Sequence, residues 1–366
     1  MRMRNSTSYA PSGEIRNSAV ELLRALAMFM VVFSHACVHS GFDLTAPGFG
    51  MNRIFVQWGV LGNLGVDIFV LISGYFLSNK GVNGRGLLKL LLQIWFYSFA
   101  IFLGCRVVFG YPYAVGDYHR IFLPILFGEY WFCTAYVILF LLTPFLNLLI
   151  RAMDRKMHLR LIVLMLSLWS VLPAITDQYM YSDVMAQFIV LYMIGAYFRQ
   201  YPGVMRNRFT AKGGLAGLSF LLLVILTVAY ECLGVRFPLF QNSVSSLYNR
   251  NSPVIIGCAV GMFAVAVGSK PFYNKFINKL GACAFGIYLI HDNPAVREIL
   301  WIWLLKHKDH YASPILPVRI LLSVIVVYVV CAMAEYLRIR YVEKPLLRMG
   351  EWVIGKVTIR KKSECT

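Results

Sequence analysis

Long apolar runs recur from one end of the chain to the other, and they limit what it can become. About 18 or more apolar residues in a helix, at 1.5 Å per residue, is what crossing the hydrocarbon core of a bilayer requires. Ten such runs are legible, at about 20–40, 54–78, 87–110, 131–150, 161–175, 183–198, 213–233, 252–268, 280–304 and 315–337. The fifth and sixth are the shortest. Peptide groups in lipid have no water to bond to and must satisfy one another, which helices do within a single segment. The expected fold is therefore an all-α, polytopic membrane protein of about ten transmembrane helices. The stretch IFLPILFG at 121–128 is too short to span and contains Pro124. It reads as re-entrant or interfacial.

Charge placement orients this bundle. The chain carries 35 Lys and Arg against 17 Asp and Glu, a net charge of +18. In a soluble protein such an excess points to nucleic acid. Here, with the N-terminus inside, 24 of the 35 basic residues fall in cytoplasmic segments, six in external segments and five within the apolar runs. That asymmetry follows the positive-inside rule and sets both termini in the cytoplasm. The basic excess is then a topology signal and a contact with anionic lipid, and no nucleic-acid partner is expected.

Three regions follow: a polar N-terminal tail at 1–19, a membrane domain at 20–341, and a basic cytoplasmic tail at 342–366. The longer external loops are 41–53, 111–130 and 234–251. No cleavable signal peptide is visible, because the first apolar run is long enough to remain in the bilayer. The eight cysteines are scattered without CxxC spacing, so neither a disulfide framework nor a zinc site is expected from them.

The first run, RALAMFMVVFSHACVH at 24–39, places Arg24 and His35 on an otherwise oily helix. Ionisable groups inside a membrane are costly and mark a functional site by default. Eleven residues at about 100° each return almost to the same face, so the two share a stripe, separated by about 16 Å along the axis. Glu21 precedes Arg24 by three and can pair with it. Such a stripe suits a chemistry in which an anionic donor is gripped at one end by a guanidinium while its reactive end reaches a histidine able to take a hydroxyl proton. The plain alternatives are a snorkelling arginine and a packing histidine. His35 and His39, four apart, can present two metal ligands, but no acidic or cysteine third ligand is evident beside them. No metal is expected, and His39 reads as an interfacial residue.

Five segments, in order, resemble the membrane acyltransferase-3 family: R-x10-H in the first helix, GVDIFVLISGYFL at 65–77, EYWFCTAYVILFLLTPFLN at 129–147, GIYLIH at 286–291 and YVEKP at 341–345. The resemblance covers roughly residues 16–346. It implies ten helices in a bacterial inner (plasma) membrane and O-acylation of a surface polysaccharide, lipopolysaccharide or cell-wall glycan. The implied donor is acyl-CoA, acetyl-CoA above others, used as a substrate with no tightly bound cofactor. The implied acceptor is a sugar hydroxyl on a surface glycan or its lipid-linked precursor. The basic motif after the second helix departs from relatives: here it is Arg85-Gly-Leu-Leu-Lys89. Some relatives carry a hydrolase-like C-terminal domain. This sequence has none, so transfer is expected of the membrane domain itself or with a separate partner.

Candidate residues follow. His35 is the expected base. Asp67, near the middle of the second helix, can orient it as an acid orients a catalytic imidazole, or can serve a hydrogen bond within the bundle. Glu129 at the outer interface can touch substrate, and His291 in the ninth helix is a second candidate for proton handling or for bonding the acyl carbonyl. Arg24, Arg85 and Lys89 are candidates for donor phosphates, with Ser73 and Gly74 lining a close approach. Tyr130 and Trp131 can stack on sugar or simply anchor the interface. Glu343 before Lys344 and Pro345 reads as a helix stop with local ion pairing. Two rivals stand: a transporter or flippase for a glycan or small solute, and a non-enzymatic subunit of a glycan-synthesis complex. Paired broken helices in two halves, common in transporters, are not visible. Oligomeric state is left open.

Overall fold

A computed structural model describes residues 17–44, 49–79, 83–176, 184–203, 212–237 and 249–364, with side chains to 353. The described residues form helices and no strand. The main helices are α1 (Ser18–Val38), α2 (Met51–Leu77), α3 (Gly84–Phe109), α4 (Trp131–Ala152), α5 (Arg155–Thr176), α6 (Val184–Gln200), α7 (Gly214–Gly234), α8 (Pro253–Gly268), α9 (Lys275–His291), α10 (Leu316–Tyr341) and α11 (Glu343–Glu364). Among them α1–α5, α7 and α10 are the seven long and apolar enough to cross a membrane. The remaining three apolar runs form the shorter helices α6, α8 and α9. Most residues of α6 between Gln187 and Phe198 are buried, so protein rather than lipid surrounds it.

The ninth run does not form one span. α9 stops at His291, Asp292 and Asn293 interrupt it, and the chain restarts as a short helix, Pro294–Arg297, and a π-helical segment, Glu298–Leu305. The sequence explains the restart. The Asn293 side chain accepts a bond from the Ala295 N–H at 3.1 Å, and Pro294 occupies the first helical position, where its missing donor costs nothing. At 121–128 the chain makes the end of a short helix, Tyr118–Phe122, and turns; Ile121 is buried and its carbonyl accepts from Ser98. The helix stop expected at Glu343 falls at Tyr341, Glu343 pairs with Lys89 and Arg338, and it opens a further helix, α11, which packs on α3 and α10. Most of the 1–19 tail and residues 238–248 of the loop at 234–251 lie outside the described residues.

α1 and α2 form the centre. α1 touches α2, α8, α9 and α10, while α2 also touches α6 and α8. The most apolar window of α1 is 67% buried against 17% for α7, which places α1 inside the bundle and α7 at its lipid face. Helices in lipid gain little from hydrophobic burial against one another and associate through close contact of small residues. At Gly65 an added Cβ would lie 2.4 Å from the Ala27 carbonyl oxygen of α1. At Gly74 it would lie 2.3 Å from the Tyr192 carbonyl oxygen of α6. Both neighbours are backbone and cannot yield.

α1 and α9 run parallel, with their starts tied. The Ser18 hydroxyl accepts from the Asn274 N–H at 2.7 Å and donates to Asn278 Oδ1 at 2.8 Å. Their far ends therefore arrive together, His35 and His39 beside His291 and Asp292.

Gly65→Val is expected to destabilise the protein by at least the ~1–3 kcal/mol typical of overpacking. Gly104→Val, where no atom lies within 4 Å of the added Cβ, is expected to be neutral. Thermal unfolding of the two variants in detergent checks the difference.

Candidate functional site

Two histidines meet at the C-terminal ends of α1 and α9. His35 Nδ1 lies 2.9 Å from His291 Nε2, and His291 Nδ1 lies 2.6 Å from the Ile287 carbonyl oxygen. A carbonyl only accepts, so His291 Nδ1 carries a proton. Its Nε2 in the neutral ring is then an acceptor, and His35 Nδ1 must donate to it. This chain of two bonds leaves the lone pair of a neutral His35 on Nε2. His35 is thus oriented as a proton acceptor by the backbone of α9, through His291.

Asp292 adds the negative charge. Its Oδ1 stands 3.2 Å from His35 Nδ1, 3.6 Å from His39 Nε2 and 3.2 Å from Arg297 Nε. Arg297 Nε also donates to the Asp292 carbonyl at 2.9 Å. The carboxylate is almost wholly buried. The view that no acidic ligand stands beside His35 and His39 is corrected here: the side-chain donors of His35, His39 and Asp292 lie within 4.8 Å of one another. A cation can fit three such donors. Arg297 competes for the same carboxylate oxygen.

The site opens into three cavities in series. A cavity of about 440 Å³ is lined by Arg24, Ser73, Lys89 and Gln93, with Phe69, Phe132 and Phe285 at one wall. A narrow cavity of about 60 Å³ follows, sharing those three phenylalanines and reaching His35, Ser34, Asn63 and Trp131. The last four residues also line a cavity of about 620 Å³, together with His39, Arg53, Arg250, Asp292 and Arg297. Arg24 and His35, on one stripe of α1, therefore line the first and the last two cavities respectively.

The other residues named from sequence divide. The Arg24 Nη1 donates to both oxygens of Glu21 at 2.9 and 2.8 Å, which fixes the guanidinium at the cavity edge. Lys89 lines the same cavity and pairs with Glu343 at 2.6 Å. Ser73 donates to the Phe69 carbonyl at 2.8 Å and lies 3.1 Å from the Tyr136 hydroxyl, inside the cavity. Gly74 faces α6 and serves helix packing. Arg85 points away, pairing with Glu351 of α11 at 2.9 Å on the exposed surface.

Asp67 is not the partner of His35. It is fully buried and accepts from Gln187 Nε2 at 2.7 Å, and the same nitrogen donates to the Arg250 carbonyl at 2.6 Å. The carboxylate that meets His35 is Asp292. Tyr130 is buried and accepts from Asn293 Nδ2 at 2.9 Å, so it pins the turn after α9 and does not face the outer cavity. Trp131 does face it, with the Arg250 guanidinium 4.3 Å above its ring. Glu129 is half-buried, and burial raises its carboxyl above the usual range while Arg120 and Arg297 pull it back.

Asp292, Arg297 and Arg250 were missed in the sequence. The dipeptide His291-Asp292 followed by Asn293-Pro294 carried the signal: a helix stop with an acid beside a histidine. A continuous apolar reading from 280 to 304 hid it.

No curated protein and no solved structure matches the chain. The model of the acyltransferase-3 family, described as an acyltransferase domain, matches residues 17–336, from the cap of α1 into the last turns of α10. The chain belongs to the acyltransferase-3 family.

Proposed function

We propose that this membrane acyltransferase moves an acetyl group from cytoplasmic acetyl-CoA to a sugar hydroxyl of a surface polysaccharide or lipid-linked glycan. In this reading the ten apolar helical segments all serve the membrane domain, both termini are cytoplasmic, and the membrane is the bacterial inner membrane. The cavity of Arg24 and Lys89 then opens to the cytoplasm and that of His39 and Trp131 to the outside. One observation carries the reading: His35 lines both the narrow central cavity and the outer one, with its proton acceptor set by His291.

The geometry suggests the following course. Arg24 and Lys89 hold the anionic part of CoA at the inner mouth, where guanidinium and ammonium suit phosphate. The flexible arm lays the thioester past the phenylalanines to His35, and the axial separation of about 16 Å between Arg24 and His35 is of the order of that arm's reach. A sugar hydroxyl in the outer cavity, with Trp131 as a stacking face, gives its proton to His35 Nε2 while its oxygen attacks the thioester carbon. The imidazolium is stabilised by Asp292, 3.2 Å away. The C–S bond breaks, and the leaving sulfur takes the proton back from His35. The product ester remains outside and CoA leaves inside.

The rival in which a glycan or solute passes through the bundle is less well supported. The cavity between the inner and outer ones is much the smallest, about 60 Å³ against about 440 and 620 Å³, and Phe69, Phe132 and Phe285 stand between it and the inner one.

The deciding experiment supplies inside-out membrane vesicles with acetyl-CoA labelled on the acetyl group. Label is expected on glycan or lipid-linked sugar with wild type, and His35→Ala is expected to lower the rate by ~10²–10⁴-fold, the usual worth of a positioned base. Equal labelling by both proteins, each correctly inserted, removes His35 from the chemistry. His291→Ala is expected to cost less than His35→Ala, since the base remains but its orientation is lost. Arg24→Ala is expected to raise the KM for acetyl-CoA more than it lowers kcat, read from initial rates over a range of donor concentrations. A chelator is expected to leave the rate unchanged, because Arg297 already serves Asp292. Loss of activity on chelation, with recovery on adding back one metal, would assign His35, His39 and Asp292 to a metal instead.

A further inference from the structure

The wall between the inner and central cavities consists of three rings from three helices. Phe69 comes from α2, Phe132 from α4 and Phe285 from α9, and these are the residues that the two cavity linings share. Phe132 is held on all sides: its ring lies 5.8 Å from Tyr136 in a stack, 5.8 Å edge-on from Phe188, 5.5 Å edge-on from Tyr288 and 6.4 Å from Phe69. It is a fixed wall. Phe69 and Phe285 are only partly buried and complete the ring from the other sides.

Beyond this wall lies the space of about 60 Å³ whose lining is apolar at one end, with Met28, Val31 and Val66, and which reaches His35 at the other. It is the smallest of the three cavities, and an acetyl thioester, with three acyl heavy atoms and its sulfur, asks the least room of any acyl donor larger than formyl. A longer chain has two ways out. It can push back against the phenylalanines, or it can enter the outer cavity, where it displaces the acceptor hydroxyl from His35.

We propose that Phe69, Phe132 and Phe285 form an acyl-length gate that restricts the donor to short chains, with Phe285 and Phe69 the residues that set the limit. This rests on the proposed acyl-CoA-dependent transfer. A side chain removed at either position joins the central cavity to the inner one and gives a longer chain room beside the thioester arm. Discrimination of ~10–200-fold is what one methylene group can earn in a tight apolar pocket, so several excess carbons should be excluded strongly.

The test measures transfer from acetyl-, butyryl- and octanoyl-CoA, each labelled on the acyl group, to the endogenous glycan of membranes containing wild type, Phe285→Ala, Phe69→Ala or Phe140→Ala. Phe140 lines the inner cavity alone and serves as the control. Wild type and Phe140→Ala are expected to use acetyl-CoA at least a hundred times faster than octanoyl-CoA. Phe285→Ala and Phe69→Ala are expected to reduce that ratio at least tenfold while retaining acetyl transfer. Phe285→Leu, the gentler change should the alanine variant fail to fold, is expected to admit butyryl but not octanoyl. Wild type that transfers octanoyl as readily as acetyl overturns the gate. So does an unchanged ratio in every folded gate variant. Wild type that transfers no acyl group from any of the three donors defeats the CoA-dependent reading itself, and the gate with it.

Discussion

At Gly65 the backbones of α1 and α2 meet with no side chain between them. A methyl group there would stand 2.4 Å from a carbonyl oxygen of α1, so the spacing is set by the peptide units themselves. This contact makes α1 an interior helix. It carries Arg24 and His35 away from lipid and onto the linings of the cavities. Had α1 faced the acyl chains, both side chains would have had to reach for the headgroups, and no cavity would connect them. The knot of Ser18 with Asn274 and Asn278 then fixes the level of α9 against α1. With helix spacing and level both set, the meeting of His35 with His291 follows without any loop having to place it.

Several charges within the bundle are paired, as a low dielectric demands. Glu335 shows the extreme. It is buried, accepts from Gln93 at 3.0 Å and Tyr97 at 2.5 Å, and receives Arg338 through two nitrogens at 2.7 and 2.8 Å. Arg338 continues to Glu343 at 3.0 Å, which also holds Lys89. One hydrogen-bonded cluster thereby joins α3, α10 and α11 beneath the inner cavity. Arg53 is likewise paired with Glu231 at 2.6 Å, tying α2 to α7. Breaking one member of such a cluster strands a buried charge, so these residues read as structural supports of the cavities.

Much of this was legible in the sequence, and the unread part has a common cause. Apolar length found the seven helices long and apolar enough to cross a membrane and the shorter α6 and α8, and helical geometry put Arg24, Glu21 and His35 on one stripe, because both signals are local. The family resemblance named His291. Contacts between helices are not local. Nothing in the spacing of Asp67 says that it faces Gln187 on α6 instead of His35 on the neighbouring helix. Tyr130 and Trp131 are adjacent in sequence, yet one is buried under Asn293 and the other opens to the cavity. Asp292 was hidden differently: the apolar residues that follow it extended the ninth run past its true end. The cap signal of Asn293 and Pro294 was present but outweighed by hydropathy.

The break after His291 has an electrostatic consequence of its own. α1 ends at Val38 and α9 at His291, so His35 and His291 each occupy a last turn. The peptide dipoles of a helix leave about half a negative charge at its C-terminus. Two such ends converge on one imidazole. In the proposed reaction His35 takes up a proton, and the new positive charge appears where both dipoles and Asp292 are already aimed. The helix stop thus supplies a fixed field for the charge that the proposed reaction places on His35, and an uninterrupted ninth helix would have carried its negative end some three to four turns away, at about 3.6 residues per turn.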